Sequence, residues 1–203
     1  MTETMTTTGR PIEAVVLGGS AGALEAMSVL VAALPADCAV SLALVIHLPP
    51  TRPSRLAEVL AARCALPVRE IEDKEPVVPG VVFVAPPGYH ALIERGRTFA
   101  LSMDDLVHFS RPAIDVLFES AAEAYGDRLG GVILSGANAD GARGLAAIAR
   151  GGGLCVVQAP ATALARDMPQ SAIGATPDAR VLSVEDMASW LGAVARDRGR
   201  VST

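Results

Sequence analysis

Aromatic residues are scarce in this 203-residue chain: four Phe, two Tyr and one Trp, 3% in all. That scarcity excludes a stacking platform for single-stranded nucleic acid and leaves a core to be built from Ala, Val and Leu. Charge is also thin, at 19% of residues with a net charge of −5, which argues against a general binder of phosphate backbones. Only three cysteines occur, Cys38, Cys64 and Cys155, widely separated and without a C-x-x-C pair. They exclude a disulfide framework or zinc site and fit small buried residues of a reducing compartment. No apolar stretch is long and uninterrupted enough to span a bilayer, and Met1–Arg10 is Thr-rich and lacks the apolar segment of a signal peptide. The expectation is a cytoplasmic protein with no membrane insertion and no nucleic-acid partner.

What is present is apolar residues, 51% of the chain, enough to bury the core of one α/β domain. Residues 12–193 are expected to form that domain, between a disordered tail at 1–11 and a frayed one at 194–203. Short apolar runs alternate with segments of helical period. Ala14–Leu17, Ala39–Ile46, Val81–Ala85, Gly131–Leu134, Leu154–Val157 and Val181-Leu182 read as strands. Ala23–Ala33, Ser54–Arg63, Pro112–Tyr125 and Gly141–Arg150 read as helices, and Ser183 with Asp186 as the capping box of a last helix through Trp190. Leu92–Glu94 and Phe99–Ser102 form a small antiparallel hairpin across Arg95-Gly96. Alternating β and α with buried strands implies a doubly wound, mostly parallel sheet flanked by helices. Sites in such sheets lie at the carboxyl ends of the strands.

Three residues of reactive type fall at those ends. Ser20 lies in Gly18-Gly19-Ser20-Ala21-Gly22, a G-x-S-x-G at a strand-to-helix turn. Small neighbours let such a turn project its hydroxyl from the sheet, with helix N-terminal amides close by to hold an oxyanion. The competing reading is a Gly-rich turn that cradles phosphate or lets the helix pack closely. His47 ends the second strand, and Asp140 follows the fourth parallel run across Ser135–Ala139. Serine, imidazole and carboxylate are the parts acyl transfer requires. A strand-end His can instead be a hydrogen-bonded structural residue, and Asp140 can be the N-cap of the helix that follows it. His90 and His108 are competing bases, and Asp115 a competing carboxylate. A dinucleotide fold fits poorly, because Gly18–Ala23 lacks two glycines of G-x-G-x-x-G and His47 stands where the ribose-binding acid belongs.

The ordered set of motifs resembles the catalytic domain of the chemotaxis receptor methylesterases, the CheB family. The matching segments are Leu17–Gly22 with Glu25-Ala26, His47-Leu48-Pro49, Pro79-Gly80 through Ala85-Pro86, Tyr89-His90 and Arg111–Phe118. Gly131–Gly136, Asp140-Gly141-Ala142, Gly151-Gly152-Gly153, Gln158 and Met168-Pro169 complete it. The resemblance implies a Ser-His-Asp triad in that chain order, on Ser20, His47 and Asp140. It also implies cofactor-free hydrolysis of glutamyl methyl esters on methylated chemoreceptor helices, releasing methanol, with deamidation of receptor glutamines as a side activity. Ala21, Ala23, Ala137, Pro160 and Asp167 depart from the family pattern, which bears on rate and substrate preference. The amide at Ala137 is the one the resemblance assigns to an oxyanion hole. Family members carry an N-terminal receiver domain, and the short stretch before the first strand is too small for one. Control is then expected from a separate receiver protein, or is absent. The alternative function is a non-catalytic, divergent signalling or binding module on the same fold.

Overall fold

The computed structural model describes residues 11–47 and 54–197. Its strands are β1 (Ala14–Gly19), β2 (Ser41–Ile46), β3 (Val68–Glu70), β4 (Val82–Val84), β5 (His90–Ile93), β6 (Phe99–Ser102), β7 (Leu129–Ile133), β8 (Leu154–Gln158) and β9 (Arg180–Leu182). Seven of them form one sheet in the order β3-β4-β2-β1-β7-β8-β9, every neighbouring pair parallel. β5 and β6 make the separate antiparallel hairpin. The order reverses at β1, as a doubly wound sheet requires, so the carboxyl ends of β1, β2 and β7 open onto one crevice.

Side-chain alternation along the strands sorts the core into two halves. Val15 and Leu17 of β1 face α1 (Ala23–Ala32), α2 (Leu56–Ala61) and α6 (Val184–Arg196), meeting Met27, Leu30, Val31 and Leu191. Ala14 and Val16 face the other way, onto α3 (Ile114–Tyr125), α4 (Ala142–Arg150) and α5 (Asp167–Ala175), with Ile114, Leu117, Phe118, Leu145 and Ile148. Both faces are covered, which is why the central strands are wholly buried and read as unbroken apolar runs. The cysteines are free, and burial pushes the Cys155 thiol up to about 12, which makes it inert. No helix among the described residues is long and apolar enough to cross a membrane.

β1 runs two residues beyond its apolar core, and those residues are Gly18 and Gly19 because neighbours occupy the space where side chains would stand. A Cβ on Gly18 would lie 2.3 Å from Ile114 Cγ2, and one on Gly19 2.4 Å from the Ala23 Cβ. The first turn of α3 and the start of α1 thus close directly on the strand end that delivers Ser20. Gly18→Ala is expected to cost about 1–3 kcal/mol through overpacking. That corresponds to a fall of roughly 2–10 °C in thermal midpoint for a domain of this size, read by circular dichroism; an unchanged midpoint would contradict this packing.

Other elements differ from the sequence expectation. β3 and α5 were not anticipated. β3 is a three-residue edge strand of sequence Val-Arg-Glu with no buried residue, too short and polar for an apolar run. Helix α5 carries Pro169 among its buried residues, and Pro is tolerated only in a first turn. Helix α6 continues to Arg196, past Trp190, burying Leu191 and Ala195. Its expected cap is present: the Ser183 hydroxyl accepts from the Asp186 amide. Of the tails expected at 1–11 and 194–203, residues 194–196 belong to α6 rather than to a frayed end; residues 1–10 and 198–203, and Leu48-Pro49 of the second matching segment, lie outside the described residues.

Candidate active site

Ser20 and His47 are brought together by register. Gly19 pairs with Ile46 across β1 and β2, and each residue of interest is the next one along. The His47 amide donates to the Gly19 carbonyl at 3.2 Å, so the two chains run side by side past the end of the sheet. Parallel neighbours are about 4.8 Å apart, which sets the two side chains at the same crevice, both partly exposed. Gly22 supplies the turn: its φ of +79° suits Gly, and a Cβ there would meet the Leu164 side chain at 2.5 Å. The Ser20 amide donates to the Ser135 carbonyl at 2.9 Å, tying the turn to β7.

Asp140 reaches the same place from the β7–α4 loop. Its Oδ2 lies 2.7 Å from His47 Nε2, and the carboxylate is fully buried. It does not cap the helix that follows it, as the sequence suggested: the N-cap of α4 is Gly141, at φ +91° with no side-chain bond. Asp140 caps α3 instead. Ile114 N–H donates to Oδ2 at 2.7 Å and Asp115 N–H to Oδ1 at 2.9 Å. Burial pushes this carboxyl's pKa up, but the bonds from His47, Asp115 and Ile114 outweigh it and hold the pKa below the ordinary 3.8. An ionised carboxylate facing an imidazole N–H at an apolar site fixes the ring's orientation and tautomer. With Nε2 engaged by Asp140, Nδ1 is the other ring nitrogen of His47.

The other candidates separate cleanly. His90 is buried, its Nδ1 accepting from the Ala113 amide at 3.2 Å and its Nε2 donating to the Asp105 carbonyl at 3.0 Å. Both nitrogens are committed to backbone, so His90 anchors the loop ahead of α3. His108 pairs with Asp115, Nε2 to Oδ2 at 3.2 Å. His108, Asp115 and Asp140 gather ligand-type atoms within 4.8 Å of one another. However, backbone amides already occupy both Asp140 oxygens and Oδ1 of Asp115, so the group fits a hydrogen-bonded lock better than a metal site.

Two supporting residues had no assigned role from sequence. Buried Ser135 donates from Oγ to the Ala21 carbonyl at 2.6 Å and accepts from the Ala165 amide at 2.9 Å, joining the serine turn to the loop before α5. Gln158 accepts the Ser135 amide at 2.9 Å and donates to the Thr162 carbonyl. Each is a polar residue directly at the end of a buried apolar strand, which is the signal that would have found it. Ala21 and Ala137 are exposed, and among the described residues neither amide has an acceptor.

Fold and site together define a doubly wound parallel α/β domain with a serine and a His–Asp pair at the carboxyl edge of its sheet. The chain belongs to the CheB methylesterase family, whose model matches residues 15–191. A relative from Leptospira interrogans is 47% identical over 176 residues, 87% of this chain and 91% of its own length. It bears the provisional name protein-glutamate methylesterase/protein-glutamine glutaminase. A Caulobacter vibrioides protein-glutamate methylesterase/protein-glutamine glutaminase is 35% identical, across 92% of this chain and 55% of that protein. The crystal structure of the Thermotoga maritima CheB methylesterase catalytic domain superposes with a TM-score of 0.85 at 30% identity, covering 90% of this chain and 98% of that one.

Proposed function

We propose that the chain is a serine esterase that hydrolyses γ-methyl esters of glutamate side chains on the cytoplasmic helices of methylated chemoreceptors. The observation that carries this reading is the 2.7 Å His47–Asp140 contact standing one register step beyond β1 and β2, beside Ser20. Family membership supports an ester substrate, and the names of the relatives support both ester and amide substrates.

Ser20 Oγ attacks the ester carbonyl carbon while His47 Nδ1 takes its proton, and Asp140 stabilises the imidazolium through Nε2. The tetrahedral oxyanion is held by the free amides of Ala21 and Ala137. That role survives the small side chain at Ala137, because the donor is backbone. Collapse breaks the bond to the methoxy oxygen, which takes the proton from His47 and leaves as methanol. Water gives a proton to His47 and attacks the acyl-enzyme, and His47 returns that proton to Ser20 Oγ as the second intermediate collapses, releasing glutamate and free Ser20. The same sequence on glutamine releases ammonia. No step calls for a cofactor. The partner is the receptor's signalling region in the cytoplasm.

The test is methanol release from a receptor cytoplasmic fragment carrying labelled methyl groups, with ammonia release from the unmethylated fragment measured beside it. Methanol above the buffer rate supports the reading. A well-folded chain that binds the fragment and releases none would instead establish the non-catalytic module.

A further inference from the structure

Asp115 is a fully buried carboxylate with no step in the reaction above. It sits at the second position of α3, and its Oδ1 accepts the Gly144 amide of α4 at 2.7 Å. Asp140, just ahead of α4, accepts the first two amides of α3. The two helices therefore exchange caps: each is capped by an aspartate belonging to the other's end of the chain. An uncapped helix start leaves amide donors unsatisfied, so neither aspartate can shift without leaving an amide of the helix it caps unpaired.

We infer that Asp115 is a positioning residue for the reaction, fixing Asp140 against His47 through this reciprocal cap. The inference rests on the Ser20–His47–Asp140 reading above. Close packing makes the coupling stiff. A Cβ on Gly144 would lie 2.5 Å from Phe118 Cβ and 3.2 Å from the Asp115 Cα, and one on Gly141 would strike Ile133 and Ile114. The start of α4 is thus seated on the first turns of α3, and the Asp115–Gly144 bond sets the position of that seat. Asp140 is two residues from the first residue of α4, so a displaced seat moves its carboxylate relative to His47 Nε2. A misplacement of about 1 Å in a catalytic group can cost ~100-fold in rate.

Among the described residues, the groups that face Asp115 are few. His108 approaches Oδ2 at 3.2 Å from the preceding loop, Arg143 Nε lies 3.9 Å away on α4 while bound to Glu119, and Asp140 stands alongside. Burial pushes the Asp115 pKa up; the Gly144 amide pulls it down, Asp140 pushes it up, and Arg143 and His108 pull it down. An oxygen that accepts one amide does so whether or not the carboxyl is ionised, so the cap does not depend on the charge.

The experiment compares Asp115→Asn and Asp115→Ala in the full chain, with Ser20→Ala in the same assay. Asn keeps an acceptor for Gly144, whereas Ala removes it. The readouts are kcat and KM for methanol release from the methylated receptor fragment, and the downfield proton resonance of the His47 Nε2–H facing Asp140. Asp115→Asn is expected to stay within ~3-fold of native kcat and to keep the resonance. Asp115→Ala is expected to lose ~10- to 100-fold in kcat with KM little changed, and to move the resonance upfield, at temperatures where it remains folded. A merely stabilising cap would lower the thermal midpoint and leave the resonance and the kcat of folded protein alone; that outcome overturns the inference. So does an Asn variant as impaired as Ala, which would assign the effect to charge. If Asp115→Ala does not fold, Asp115→Ser, whose hydroxyl is one atom too short for Gly144, is read in the same way. Native-like activity in Ser20→Ala would sink the catalytic reading itself, while the resonance still reports on the cap.

Discussion

Ser20→Ala is expected to reduce methanol release by several powers of ten while leaving the fold intact. Loss of a triad nucleophile removes the covalent route and typically leaves only the contribution of substrate binding and oxyanion donors. The structural side of the expectation comes from the turn. What holds Ser20 in place is backbone: its amide donates to the Ser135 carbonyl at 2.9 Å, and its carbonyl accepts from the Ala23 amide at 3.0 Å. Both bonds survive in the Ala variant, and no positive φ at position 20 makes a side chain costly there. The thermal midpoint should therefore stay within ~2 °C of native, since surface changes of this kind fall within about 0.5 kcal/mol. Rate and midpoint measured on the same preparation separate chemistry from folding. Near-native methanol release from the folded variant would remove Ser20 from the mechanism.

The layout that delivers Ser20 is largely legible in the sequence, because the central strands are buried on both faces. Ala14–Leu17 and Ala39–Ile46 have no polar face to blur the pattern, so their ends, and with them Ser20 and His47, could be placed to within a residue or two. The hairpin and the capping box at Ser183 carry local turn and cap chemistry, and they too were legible. What could not be read was interaction across long stretches of chain. Asp140 had the sequence position of a cap for α4, and its true partners, the amides of Ile114 and Asp115, lie 26 and 25 residues away. A cap's sequence neighbourhood says that a donor is needed nearby, but not which helix supplies it. Gly18 was likewise visible as part of a turn motif, yet its reason is the Ile114 side chain lying where a Cβ would go. His90 illustrates the opposite case: it matched a family segment and has the right chemistry for a base. Two backbone bonds, invisible in sequence, take both of its nitrogens out of play.

Asp140→Asn should be more damaging than a conservative exchange suggests, in rate and in stability alike. From sequence, Asn looks able to replace Asp as a helix cap. The observed geometry denies it that role in full. Oδ2 accepts from both His47 Nε2 and the Ile114 amide, and Oδ1 accepts from the Asp115 amide. All three partners are donors, so either orientation of an Asn side chain sets its NH2 group against at least one N–H. A buried donor left without an acceptor costs about 1–3 kcal/mol. The remaining charge loss falls on His47, whose tautomer and protonated state would no longer be supported, and a drop of about 10⁴-fold in kcat is expected for such a change in a triad. The acid dependence supplies a second check. Because the folded pKa of Asp140 lies below the ordinary 3.8, its ionised form stabilises the native state. That contribution is complete above pH ~4 and is lost as pH falls toward the depressed folded value. Asp115 shifts in the opposite direction, so the native protein's pH profile alone mixes the two; the difference between native and Asp140→Asn reports Asp140 together with its charge coupling to Asp115. Denaturant unfolding at pH 7 and pH 3 should show the native protein's advantage over the variant shrinking in acid. If the gap is the same at both, Asp140 is not held ionised by His47 and the two amides. A fully active Asn variant would leave Ser20 and His47 working as a dyad, with Asp140 serving only to join α3 to the loop before α4.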